Sequence, residues 1–93
     1  MATFLLFSHC IKKVEIDGPV TTIGRDKESH LVIPDKMLSR KHCLIEKDGD
    51  TYKVIDLKSS NGTFVNGVRV KSKEIHPEDR IKIGESILYY LPF

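Results

Sequence analysis

Ninety-three residues, 40 % hydrophobic and 30 % charged, are the make-up of one small soluble domain rather than of a disordered chain. At that length folding buries only about 60–65 % of the unfolded surface, which excludes a multi-step enzyme carrying its own cofactor domain. Lys and Arg number 15 against 13 Asp and Glu, a net charge of +2 with the signs interspersed, which is not the basic stripe of a dedicated nucleic-acid binder.

Along the chain, apolar and polar residues alternate in short runs, and no stretch holds a helical period over three turns. The apolar opening, Met1–Phe7, has neither a basic n-region nor a small-residue cleavage site and reads as a first strand, Thr3–Phe7, rather than a signal peptide. Further strands are predicted at Lys12–Ile16, Val20–Ile23, Leu31–Ile33, His42–Glu46, Tyr52–Asp56, Thr63–Val65, Val68–Val70, Arg80–Ile83 and Ser86–Leu91. Asp17-Gly18-Pro19, Asp48-Gly49-Asp50, Asn61-Gly62, Asn66-Gly67 and Gly84-Glu85 punctuate them, supplying the positive φ that tight turns need. Short strands with turns at this spacing predict an all-β, antiparallel two-sheet β-sandwich, one domain over residues 1–93. No apolar run reaches the ~18–20 residues that span a bilayer, so no membrane partner is expected. Cys10 and Cys43 are too few for a disulfide scaffold and read as half-buried thiols in a reducing compartment. Each sits beside a histidine, but neighbours in a strand point to opposite faces and cannot share one metal ion.

The chemistry-bearing residues gather between strands, where a sandwich usually carries its function. Gly24-Arg25 follows an apolar strand, Leu38-Ser39-Arg40-Lys41-His42 precedes another, and Asp56-Leu57-Lys58-Ser59-Ser60-Asn61-Gly62-Thr63 is followed by Asn66-Gly67. Arg25 and Arg40 offer planar forks of donors that match phosphate oxygens. Ser39 and Ser60 add hydroxyl donors, and Asn61 an amide able to pair with an extended peptide backbone. Glycine-containing turns can contribute main-chain N–H groups to an anion nest. None of these donor groups is a good general base and no carboxylate pair is supplied beside them, so the set suits holding a dianion rather than breaking a bond. A phosphate loop fails as well: the two glycines of Gly62 to Gly67 are followed by Val68-Arg69 and a strand, where Lys-Ser/Thr and a helix are required. Enzyme activity and a bound cofactor are therefore not expected.

In their order and spacing, Gly24-Arg25, Ser39-Arg40-Lys41-His42 and Ser60-Asn61-Gly62-Thr63-Phe64-Val65-Asn66-Gly67 resemble the forkhead-associated (FHA) domain family. Asp56-Leu57 and Asp79-Arg80-Ile81-Lys82-Ile83-Gly84 extend the likeness, which covers roughly Thr21 to Tyr90. The resemblance implies a sandwich that binds phosphothreonine in partner proteins through loops at one end, downstream of a Ser/Thr kinase. By position, Arg25 would grip the phosphate, Ser39 and Ser60 would donate hydrogen bonds to it, Arg40 would add charge, and Asn61 would hold the adjacent peptide backbone. Gly24, His42 and Gly62 would support the site, and Asn66-Gly67 would shape a turn behind it. Lys36 and Met37 precede Leu38 in the loop that helps select residues flanking the phosphothreonine. Lys36 favours an acidic neighbour there and Met37 an apolar one. Glu78 stands where the family often has glycine, which should alter one turn. The rival class is a phosphate-independent interaction module using a sandwich face or edge strand. The resembled family occurs in bacteria and eukaryotes, which implies a cytoplasmic location, or a nuclear one if the source is eukaryotic.

Overall fold

The computed structural model describes residues 1–93. Eleven strands form: β1 (Ala2–Phe7), β2 (Ile11–Ile16), β3 (Val20–Gly24), β4 (Leu31–Val32), β5 (Cys43–Asp48), β6 (Thr51–Asp56), β7 (Thr63–Val65), β8 (Val68–Val70), β9 (Ser72–Ile75), β10 (Arg80–Ile83) and β11 (Ser86–Tyr90). They make two sheets, a six-stranded one in the order β2-β1-β11-β10-β7-β8 and a five-stranded one in the order β4-β3-β5-β6-β9. Every pairing is antiparallel except β3 with β4, which run parallel for two residues.

Alternation sends one face of each strand inward. Phe4 and Leu6 of β1, Ile81 and Ile83 of β10 and Leu88 of β11 meet Ile23 of β3, Ile45 of β5, Val54 of β6 and Ile75 of β9 in a core of 17 buried apolar residues. Phe4 is fully enclosed and lies against the Tyr90 ring at 4.7 Å between centroids. Burying such a side chain is worth roughly 1.5–3 kcal/mol, and this core is the main stabilising term.

The strands expected from the sequence all form, with ends shifted by at most two residues, and alternation locates those that bury one face; β8, with no buried residue, pairs with β7 through a hairpin. β9 is the strand that the alternation did not announce. Only Ile75 of its four residues is buried, and its strand character comes from main-chain pairing with β6, Tyr52 opposite Ile75. Asn61-Gly62 is not a hairpin turn: Gly62, at φ 90°, lies in the loop entering β7. Asn66-Gly67, at φ 51° and 85°, does make a two-residue hairpin, Val65 opposite Val68. The thiols also differ from expectation. Cys10 is exposed and Cys43 completely enclosed. Burial first, then the Asp56 carboxylate, pushes the Cys43 thiol up to about 12, so it stays protonated and inert.

Glu78 takes the left-handed place in its turn that suits glycine. It follows Pro77 in a turn closed by Asp79 N–H donating to the His76 carbonyl at 3.0 Å, and sits at φ 78°, where side chains other than hydrogen are strained. Glu78→Gly removes a left-handed strain of about 1–2 kcal/mol, partly offset by the greater freedom of glycine in the unfolded chain. The net expectation is a gain of about 0.5–1 kcal/mol, read as a higher midpoint in urea with unchanged slope.

The register aligns Ile23, Cys43 and Asp56 across β3, β5 and β6. The end of β3, the start of β5 and the end of β6 therefore lie in one line, and the loops after Gly24, before Cys43 and after Asp56 emerge together.

Candidate functional site

At that end of the sandwich, main-chain bonds bring separate loops into contact. Arg25 N–H donates to the Ser39 carbonyl at 3.1 Å and Asp26 N–H to the Arg40 carbonyl at 3.0 Å, so residues 25–26 lie beside residues 39–40. The approach is close enough to need glycine at 24, because a Cβ there would be 1.9 Å from the Arg40 carbonyl oxygen. Arg25 is then fixed a second time, its Nε donating to the Leu38 carbonyl at 3.0 Å.

His42, wholly buried, ties this loop to the one after β6. Its Nδ1 accepts from Ser39 N–H at 3.1 Å, and its Nε2 donates to the Gly62 carbonyl at 2.9 Å. A carbonyl can only accept, so the ring proton sits on Nε2 and both ring nitrogens are satisfied. Across the same junction, Ser60 N–H donates to Ser39 Oγ at 3.0 Å and Asn61 Nδ2 donates to the Met37 carbonyl at 2.7 Å. Met37 is held from its other side by its own N–H, which donates to Asp35 Oδ1 at 2.9 Å.

Arg25, Ser39, Arg40, Ser60 and Asn61, predicted as one site, are thus brought to one end of the molecule. Gly24, His42 and Gly62 brace them. Lys36 and Met37 sit exposed on the loop before Ser39. Asn66 and Gly67 are not part of this cluster. They lie at the far end of β7, where Asn66 Nδ2 donates to Asp79 Oδ1 and Asn66 Oδ1 accepts from Arg80 N–H, both at 3.0 Å.

Two carboxylates to which the sequence assigned no role at the site, Asp56 and Asp35, set its loops. Asp56 Oδ1 accepts from Ser59 Oγ at 2.5 Å and Thr63 Oγ1 at 2.7 Å, and Ser59 Oγ accepts from Gly62 N–H at 3.0 Å. Asp56-x-x-Ser59 is a local side-chain-to-backbone pattern that could have been read from the spacing. Asp35, buried, accepts from Ser86 Oγ at 2.7 Å, Glu85 N–H at 2.8 Å and Met37 N–H, joining the loop before Ser39 to the β10–β11 turn. Apart from its bond to Met37, nothing local announces Asp35, since Glu85 and Ser86 lie 50 and 51 residues away.

Burial raises both carboxyls, but the hydrogen bonds outweigh it and leave each below its ordinary value. A depressed folded value means stability that is fully present above the unfolded value of about 3.9 and is lost as pH falls through the folded one. Denaturation midpoints should therefore drop as pH falls below about 4. Asp56→Asn should make that acid limb shallower, and an unchanged limb would show that Asp56 carries none of it.

A family model described as FHA domain matches residues 21–84. The chain is 36 % identical over 76 residues to an oxoglutarate dehydrogenase inhibitor of Corynebacterium jeikeium, covering 82 % of this chain and 53 % of that one. It is 34 % identical over 76 residues to the glycogen accumulation regulator GarA of Mycolicibacterium smegmatis, covering 82 % and 48 %. The chain thus spans about half the length of these curated relatives. Among solved structures, the FhaA FHA domain complexed with the intracellular domain of Rv3910 superposes with a TM-score of 0.91 at 29 % identity, covering 97 % of this chain and 99 % of that one. An FHA structure from a study of phosphothreonine-dependent interactions gives 0.90 at 28 % identity, covering 98 % and 96 %. Three ordered loop motifs, the two-sheet architecture and these matches agree: the chain belongs to the forkhead-associated domain family.

Proposed function

We propose that residues 1–93 act as one domain that binds phosphothreonine in an extended segment of a partner protein, downstream of a Ser/Thr kinase. The observation that carries this reading is the state of the donors around Arg25 and Ser39. Arg25 spends Nε on the Leu38 carbonyl, which leaves its two terminal nitrogens for bidentate contact with phosphate. Ser39 Oγ accepts from Ser60 N–H, so its own proton is left to donate. Arg40 and the Ser60 hydroxyl add charge and a further donor, and Asn61 keeps its Oδ1 and one N–H for the ligand's main chain. Holding these groups in place before the ligand arrives reduces the ordering cost of binding.

The domain is a binding module in this reading and not an enzyme. Its relatives are named as an inhibitor and a regulator, and Asp56, at the base of the β6–β7 loop, is engaged by Ser59 and Thr63. The solved relative described by phosphothreonine-dependent interactions supports the same ligand class. Two free thiols fit a reducing compartment such as the cytoplasm.

The test is fluorescence anisotropy with one peptide series in phosphothreonine, phosphoserine and unmodified forms. Phosphothreonine should bind selectively, more weakly below the phosphate's second pKa of about 6 and at higher salt. Equal binding of the three forms would overturn the reading in favour of a phosphate-independent face. The observation favouring that rival is a cleft of about 360 Å³ lined by Phe7, Arg80, Ile87 and Tyr89 on the outside of the six-stranded sheet.

A further inference from the structure

Lys58, Arg69 and Lys71 line one cleft of about 740 Å³, together with Asp56, Ser59 and Val70. Three chain segments build it. Lys58 and Ser59 belong to the β6–β7 loop and stand next in sequence to Ser60. Arg69 comes from β8, and its side chain crosses the bare face of Gly62, where a Cβ would lie 2.7 Å from its Nε and 3.0 Å from its Cζ. Lys71 is fixed against the end of β6 by its carbonyl, which accepts from Asp56 N–H at 2.8 Å.

The charge in this cleft is not neutralised from within. The ion pairs of the protein use Asp17, Glu15, Glu74 and Asp79, none of them with Lys58, Arg69 or Lys71. Asp56 is the one carboxylate in the lining, and its oxygens are taken by Ser59 and Thr63. Three cations against one engaged carboxylate leave a concave, polar, positively charged surface that shares a loop with Ser60 and Asn61.

We propose that this cleft is a second anion subsite, which takes a carboxylate or a second phosphate carried by the same phosphopeptide. The proposal rests on the phosphothreonine reading above and deepens it, because it adds a requirement on the ligand. Extended peptide advances about 3.3–3.6 Å per residue, so a second anion within about four residues of the phosphothreonine reaches the flank of the same loop. Exposed ion pairs are individually weak, and the gain comes from several cations facing one ligand group.

The experiment titrates the intact chain with phosphothreonine peptides in which each position within four residues is in turn neutral (Gln or Thr), Glu, or phosphothreonine. At low salt, one position should show about 5- to 10-fold tighter binding for the anionic forms, and the Glu and phosphate arms separate the two sources. In Lys58→Ala/Lys71→Ala that advantage should shrink below about twofold while the neutral phosphothreonine peptide keeps its affinity. Lys71→Glu should reverse the preference toward a peptide with Lys at the same position. Phosphothreonine binding that ignores the second charge, or an advantage that survives the double variant, overturns the subsite and leaves the phosphothreonine reading intact. Loss of all phosphothreonine selectivity in the parent chain overturns that reading itself, and the subsite with it.

Discussion

Arg25→Ala should lower phosphothreonine-peptide affinity about 10- to 150-fold, the equivalent of the 1.5–3 kcal/mol carried by a hydrogen-bonded charge. The fold should survive, because the Arg25 side chain is exposed and makes one internal hydrogen bond, to the Leu38 carbonyl. The main-chain bond from Arg25 N–H to Ser39 is untouched by the substitution. Arg25→Lys should fall between parent and Ala, since an ammonium keeps the charge and loses the planar fork. Calorimetric titration alongside a thermal melt separates the two effects. Unchanged affinity in a folded Arg25→Ala protein would assign the phosphate to other groups.

Gly24→Ala is expected to have the largest effect on stability. The added methyl meets backbone rather than a movable side chain, at 1.9 Å from the Arg40 oxygen and 2.7 Å from the Arg40 carbon. The junction must open to admit it, breaking the bonds from Arg25 N–H to Ser39 and from Asp26 N–H to Arg40. Overpacking of about 1–3 kcal/mol plus roughly 1 kcal/mol for each lost hydrogen bond gives a loss of about 3–5 kcal/mol. That is a large part of the 5–15 kcal/mol typical of a folded domain. At about 4–8 °C per kcal/mol, a loss of 3 kcal/mol lowers the melting temperature by roughly 12–24 °C. Binding should fail with it, since Arg25 and Ser39 then separate. A melting temperature within about 3 °C of the parent would show that the junction between the loops after β3 and before β5 relaxes freely.

How much of this was legible in the sequence differs from residue to residue. Phe4, Ile23, Ile45 and Ile81 announce their strands because alternation records which face is buried. Arg25, Ser39 and Asn61 are legible because they stand in ordered motifs, but the spacing of those motifs does not say that Arg25 and Ser39 are neighbours. That follows from the register of Ile23 with Cys43, which no local pattern encodes. β9 was hidden for a related reason: Ser72, Lys73 and Glu74 are exposed, and what makes them a strand is pairing with β6. Asp35 was hidden because its partners, Glu85 and Ser86, lie far along the chain. Arg69 looked like an ordinary charge on a short strand. Its place across Gly62 exists only once β8 folds back on β7.

The position of β1 between β2 and β11 also imposes an order on assembly. Phe4 pairs with Val14 on one side and with Tyr90 on the other. The five-stranded sheet needs only residues 20–75, a continuous stretch, whereas the six-stranded sheet needs both chain ends. On a ribosome adding about 5–20 residues per second, β1 waits on the order of 5–15 s for the strand that completes it. Through that interval the β1–β2 hairpin holds Phe4 and Leu6 with one strand edge unpaired, which makes it the segment most exposed to mispairing with a neighbouring nascent chain. Removing the last strand should therefore leave a product prone to aggregate through β1, even though the binding loops are all encoded before it.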